Sequence, residues 1–134
     1  MEIPNVADKW SGGVNEITLG ATKDKGGSRT KTFTIGGAKS IPFMDFEGNP
    51  GQKPVVAMDV YDVSPEDWPE TLTRPFADVL HDPAQWARKC VEQYGADVNC
   101  LKLDGIHPDK GNKSPEQAAK TVKSILAAVG VPLI

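Results

Sequence analysis

A length of 134 residues allows one domain with a modest core, or part of a larger architecture. Hydrophobic residues at 39% and charged residues at 25% fit a globular chain in water, and a net charge of -3 carries no global nucleic-acid signature. The opening MEIPNVADKW has neither a basic n-region nor an apolar h-region, and the apolar SILAAVGVPLI is too short to cross a bilayer. A cytoplasmic, soluble protein without membrane or nucleic-acid partners is therefore expected.

Residues 14–23, VNEITLGATK, place Ile17, Leu19 and Ala21 on one face, and Lys31, Phe33 and Ile35 share a face after the DKGG turn at 24–27. This pattern predicts a β-hairpin. Its turn lacks the Gly-Lys-Ser/Thr ending of a phosphate loop. Residues 1–40 carry six basic and four acidic side chains, with the excess at Lys23, Lys25, Arg29 and Lys31, whereas the rest of the chain is acidic. That excess reads either as a solvated hairpin surface or as an attraction for an anionic partner. Glycines and prolines crowd residues 36–54 and mark a linker.

A second pattern begins at Lys53. VVAMDVYD at 55–62 is a continuous apolar run ending in acid, as expected of a strand buried on both faces. A long loop follows, with Trp68, Phe76 and three prolines, and PFADVLH reads as a short helix within it. Asp82-Pro83 is an N-cap and first-turn pair opening a helix with the stripe Trp86, Ala87, Cys90, Val91 and Tyr94, closed by Gly95. The strand VNCLKLD comes next. Ser114-Pro115 with Gln117 spells a capping box, and Ala118, Val122, Ile125, Leu126 and Val129 form that helix's buried stripe, with Gly130 at its end. VPLI begins another strand. The order β-α-β-α-β predicts a parallel α/β sheet, open or closed into a barrel, in which ligands meet the carboxyl ends of the strands. Two regions are expected: an N-terminal β extension and linker over 1–52, and over 53–134 the first βα units of a barrel that requires a longer chain.

Strand-end logic selects Asp62, Asp104, Gly105 and His107, with the Trp68 loop, as the candidate site face. Asp59 and Lys102 are candidates for an ion pair inside a barrel lumen. His107 nearly completes the D-x-H-x-x-G pattern of histidine-ligating corrinoid domains, but each gap holds one residue too many, so it reads as a polar loop histidine. His81 reads as a helix-boundary residue. Cys90 and Cys100 lack CxxC spacing, so two unpaired thiols are expected, with no cysteine-ligated cluster and no metal-ligand grouping.

LGATKDKGGSRT, DFEG at 45–48, WPETLTRPFADVLHDPAQWARKCVEQYGAD, LKLDGIHPD and VKSILAAVGVPL, taken together, resemble the small subunit of the corrinoid iron–sulfur protein, the delta subunit family of acetyl-CoA decarbonylase/synthase. The resemblance runs in order from about residue 14 to the end. It implies a TIM barrel with an N-terminal β extension, of which this chain covers the front. It further implies a corrinoid at the interface with a large subunit, and an iron–sulfur cluster in that partner and not here. The implied role is in a methyl carrier that passes a methyl group from a methylated pterin, through the corrinoid cobalt, to acetyl-CoA synthase in the reductive acetyl-CoA pathway. A pterin-dependent methyltransferase and acetyl-CoA synthase/CO dehydrogenase are the further partners implied. The chain would be a platform without a catalytic residue of its own, with Asp62, Trp68, Asp104, Gly105 and His107 facing corrinoid or partner. An independent pterin-binding barrel methyltransferase, or an inactive fragment of either protein, is the alternative.

Overall fold

The computed structural model describes Pro4 and residues 11–40 and 48–134. Among these the fold is mixed α/β, with two small two-stranded sheets and three α-helices. The chain divides into two compact units, one of Met1–Thr18 with Thr34–Pro54 and one of Leu19–Phe33 with Val55–Ile134.

The predicted hairpin is present with shorter strands. Strand β1 (Ile17–Leu19) pairs with β2 (Phe33–Ile35), and Thr18 and Thr34 join their hydroxyls at 3.1 Å. In the first unit, the Lys39 N–H donates to the Asn49 carbonyl at 2.8 Å and the Gln52 N–H to that of Gly36 at 2.9 Å, folding the expected linker back on itself. Of the DFEG stretch, Asp45 to Glu47 lie outside the described residues.

The second unit is built around two parallel strands. Strand β3 (Ala57–Tyr61) runs beside β4 (Val98–Lys102), in a register from Ala57 opposite Val98 to Tyr61 opposite Lys102. A short helix α1 (Glu70–Thr73) and a 3₁₀ turn (Arg74–Phe76) occupy the connecting loop, so helix forms just before the expected PFADVLH. Pro75 explains the offset, because a proline suits a helical first turn and lacks the N–H that a helix interior needs. Helix α2 (Pro83–Glu92) starts as its sequence predicts: the Asp82 carboxylate accepts from the N–H groups of Ala84 and Gln85 at 3.0 and 3.1 Å. Helix α3 (Pro115–Ala128) starts with the complete Ser114–Gln117 capping box. Beyond it, Asn99 N–H donates to Pro132 O, Ile134 N–H to Asn99 O and Leu101 N–H to Ile134 O, at 2.8–3.1 Å, so the VPLI segment lies parallel beside β4.

Val60, Trp86, Ala87, Cys90, Ala96, Ile125, Val129 and Val131 form the buried core, with α2 packed against both strands and against α3. Trp86 is its centre. Its ring lies 5.6–6.0 Å from those of Tyr61, Trp68 and Phe76, within the range where aromatic pairs attract. The other face of the sheet differs from the expectation of a strand buried on both sides: Ala57, Asp59 and Lys102 are exposed. Nor do Asp59 and Lys102 form an ion pair. The register sets Asp59 opposite Cys100 and Lys102 opposite Tyr61.

The basic stretch also departs from expectation at one position. Lys23, Lys25 and Lys31 are exposed, but Arg29 is only 8% exposed. Its Nη1 donates to the carbonyl of Val129 at 2.7 Å and to that of Val131 at 3.3 Å, and its Nη2 to that of Leu126 at 2.7 Å. These carbonyls face out of the C-terminal end of α3, where a helix leaves acceptors unpaired and concentrates negative partial charge. The adjacent Thr30 N–H donates to the Gly130 carbonyl at 2.8 Å. Gly130 is therefore a close-approach glycine: its φ is not positive, and a Cβ there would overlap the Thr30 side chain. No helix among the described residues is long and apolar enough to cross a membrane.

Two outcomes are expected. Arg29→Met in the full-length chain should lower stability by about 2–3 kcal/mol in urea unfolding, with Arg29→Lys recovering only part, because a point ammonium cannot fork across separate carbonyls. Burial pushes the Cys90 thiol up to about 11 from an ordinary 9.0. Since the folded state favours the protonated thiol, this contribution to stability is complete below pH 9 and is lost as pH rises toward 11. Cys90 should resist alkylation at pH 8 until the chain is unfolded, as peptide mass mapping would show.

Candidate functional site

The β3 and β4 strands end side by side, and a cleft of about 280 Å³ opens at these ends. Its lining comes from two loops: Tyr61, Val63, Ser64, Pro65, Glu66, Asp67 and Trp68 after β3, and Asp104, Asp109 and Lys110 after β4. The volume sits at the small end of the roughly 300–1,000 Å³ of ligand pockets.

Asp62 anchors this region without lining it. Its carboxylate has no exposed surface; Oδ1 accepts the Gly105 N–H at 2.8 Å, and Oδ2 accepts from Lys113 Nζ at 3.1 Å. Lys113 Nζ also donates to the Asp62 carbonyl. A carboxylate taken from water needs such partners, and these three groups bind the end of β3 to the β4–α3 loop. Gly105 is buried at the junction, where a Cβ would come within 2.5 Å of Asp62 Oδ2 and 2.8 Å of the Lys113 stem.

Asp104 and Trp68 do line the cleft. Asp104 bonds Lys110 Nζ at 2.8 Å, and this hydrogen bond, with further attraction from Asp104 and then Asp67, holds the Lys110 ammonium above the ordinary lysine range. Trp68 stands edge-on to Tyr61 at 5.2 Å and to Trp86 at 5.9 Å, so the cleft wall is continuous with the core. His107 lies outside the lining, with its side chain 61% exposed. Its Nδ1 accepts the Asp109 N–H at 3.2 Å, capping the 3₁₀ turn Pro108–Lys110. With Nδ1 as acceptor, the neutral ring carries its proton on Nε2, and neither nitrogen then offers a spare lone pair to a metal. Of the five predicted residues, the structure thus brings Trp68 and Asp104 to the cleft, places Asp62 and Gly105 beneath it, and leaves His107 at the surface.

Tyr61, Glu66, Asp67 and Lys110 belong to the cleft but are not among the strand-end candidates. Their signal is the run Ser64-Pro65-Glu66-Asp67-Trp68, where a proline and two acids adjoin an aromatic ring. Another unforeseen pair is Ser64 and His81. The Ser64 hydroxyl donates to the Leu80 carbonyl at 3.0 Å and lies 2.7 Å from His81 Nδ1. Because its proton is directed at Leu80, Ser64 is arranged to accept from His81, the reverse of an activated nucleophile. No group of three His, Cys, Asp or Glu side chains suited to a metal occurs among the described residues.

Residues 16–134 match the family model of the CO dehydrogenase/acetyl-CoA synthase delta subunit. Three relatives, each named acetyl-CoA decarbonylase/synthase complex subunit delta, show how far the similarity extends. The protein of Archaeoglobus fulgidus is 37% identical over 127 residues, covering 95% of this chain and 28% of its own length. That of Methanocaldococcus jannaschii is 36% identical over 128 residues, 95% of this chain and 31% of its own. That of Methanothermobacter thermautotrophicus is 38% identical over 126 residues, 93% of this chain and 30% of its own. The chain spans under a third of the length of these relatives.

Lys113→Met should leave the buried Asp62 carboxylate without its cation and cost about 3 kcal/mol, the low end for a broken buried pair because Lys113 is partly exposed. Gly105→Ala should also destabilise by forcing Asp62 and Lys113 apart. Chemical denaturation of the full-length variants would measure both, and an unchanged midpoint for either would remove the anchoring role assigned to Asp62.

Proposed function

The chain belongs to the CO dehydrogenase/acetyl-CoA synthase delta subunit family, and from that premise we propose that it is the front part of the small subunit of a corrinoid iron–sulfur methyl carrier. The observation that carries the reading is the family match over residues 16–134. In this reading the N-terminal β extension and linker occupy 1–52, and residues 53–134 supply the first βα units of a TIM barrel. The parallel pair β3–β4 and the VPLI segment beside β4 support that arrangement.

The partners in this reading are a large subunit bearing the iron–sulfur cluster and corrinoid, a pterin-dependent methyltransferase, and acetyl-CoA synthase/CO dehydrogenase. A corrinoid supplies a cobalt centre able to accept and release a methyl group, which suits a methylated pterin as donor in the reductive acetyl-CoA pathway. The side chains at the strand ends suit one edge of such a group and not its enclosure, because a corrin macrocycle is larger than a cleft of about 280 Å³. Trp68 and Tyr61 would offer apolar surface that keeps water from that edge. Asp104, Gly105 and the exposed loop of His107 would form the polar rim toward corrinoid or partner. Asp62, held by Gly105 and Lys113, would fix the height of that rim. No proton acceptor poised for chemistry is required of this chain, which favours a platform over an enzyme.

The reading is tested by co-elution of the full-length chain with its large subunit, followed by the corrinoid's visible absorbance. Corrinoid should be retained by the pair and not by this chain alone. Retention by this chain alone, or a pair that does not form, would overturn the proposal.

A further inference from the structure

The geometry points to the cleft at the ends of β3 and β4 as a seat for an arginine or lysine side chain presented by a partner polypeptide. This deepens, and rests on, the reading of that face as partner-facing. Four carboxylates line the cleft, those of Glu66, Asp67, Asp104 and Asp109, against the single cation Lys110. Glu66 and Asp67 are exposed and take part in no ion pair among the described residues. A concave surface with this excess of one sign focuses a negative potential, attracting a cation and repelling phosphate or carboxylate groups.

Shape and precedent within the molecule agree with charge. The cleft already receives one ammonium, that of Lys110 at 2.8 Å from Asp104. Tyr61 and Trp68 supply an aromatic wall beside the acids, and a guanidinium can stack on such rings while its N–H groups reach carboxylates. A volume of about 280 Å³ suits the head and stem of one long side chain. A polypeptide is the favoured bearer because a chain-tethered cation gains its affinity from flanking contacts, and arginine is enriched at protein interfaces. Lys110 then acts as a tethered competitor, partly neutralising the seat until a partner's cation displaces it from Asp104.

The test uses the full-length chain, with the peptide acetyl-Gly-Arg-Gly-amide and its citrulline counterpart as probes, and follows the indole N–H resonance of Trp68. The arginine peptide should shift that resonance saturably, and binding should weaken steeply toward roughly 0.15 M salt. E66Q/D67N should weaken it by about fivefold, and K110M should strengthen it by about threefold by freeing Asp104. Equal shifts from the citrulline peptide, unchanged affinity in E66Q/D67N, or no shift at all would each overturn the inference. Binding of free guanidinium ion as tight as that of the peptide would overturn the polypeptide occupant in favour of a small-cation site. The titration contains neither corrinoid nor partner subunit, so its failure leaves the methyl-carrier reading to the co-elution experiment, and failure of co-elution leaves a positive titration intact.

Discussion

A carboxylate without exposed surface needs partners supplied by the fold, and at Asp62 these come from two directions: a backbone N–H from Gly105 and an ammonium from Lys113. The first locks the end of β3 to the turn leaving β4, and the second brings in the residue just before α3 begins. Both loops around the cleft are thereby referenced to one buried atom pair. Loops usually carry binding groups on borrowed rigidity, and here the loan comes from this junction. The acids and aromatics above it can remain open to solvent because the charge beneath them is already satisfied.

Local features of this fold are legible in the sequence because their causes are local. Asp82-Pro83 and Ser114-Pro115-Glu116-Gln117 declare helix starts through bonds spanning two or three residues, and both form as written. The parallel order of β3, β4 and the VPLI segment follows from alternating helical and strand patterns. Arg29 is different. In sequence it is one of several basic residues after a glycine turn, and its carbonyl partners at the end of α3 lie about a hundred positions away. Gly130 misleads for a related reason, since the glycine answers to Thr30 and not to a left-handed helix end.

The candidate site divides along the same line. Strand-end reasoning locates the correct end of the sheet, which is why Asp104 and the Trp68 loop reach the cleft. It cannot separate an acid that faces the opening from one that holds the strands together, and Asp62 and Asp104 look alike by position. Their difference lies in Gly105 and Lys113, whose approach depends on the packing of α3. His107 illustrates a subtler gap: its ring nitrogen is committed to a backbone N–H two residues ahead, a small local bond that decides what the imidazole can do.

The long reach of Arg29 also bears on the order in which the molecule can be assembled. Its partner Val129 is 100 residues later in the chain, so during synthesis the guanidinium must wait for α3 to emerge. At about 5–20 residues per second that delay is roughly 5–20 s, far longer than a helix or hairpin needs to form. Throughout that interval the segment carrying Arg29 is a basic loop without its acceptors, and α3 can be completed only as the last act of this unit. Closure of the guanidinium on the α3 carbonyls is thus a late, long-range step that certifies the arrival of the distant end of the chain.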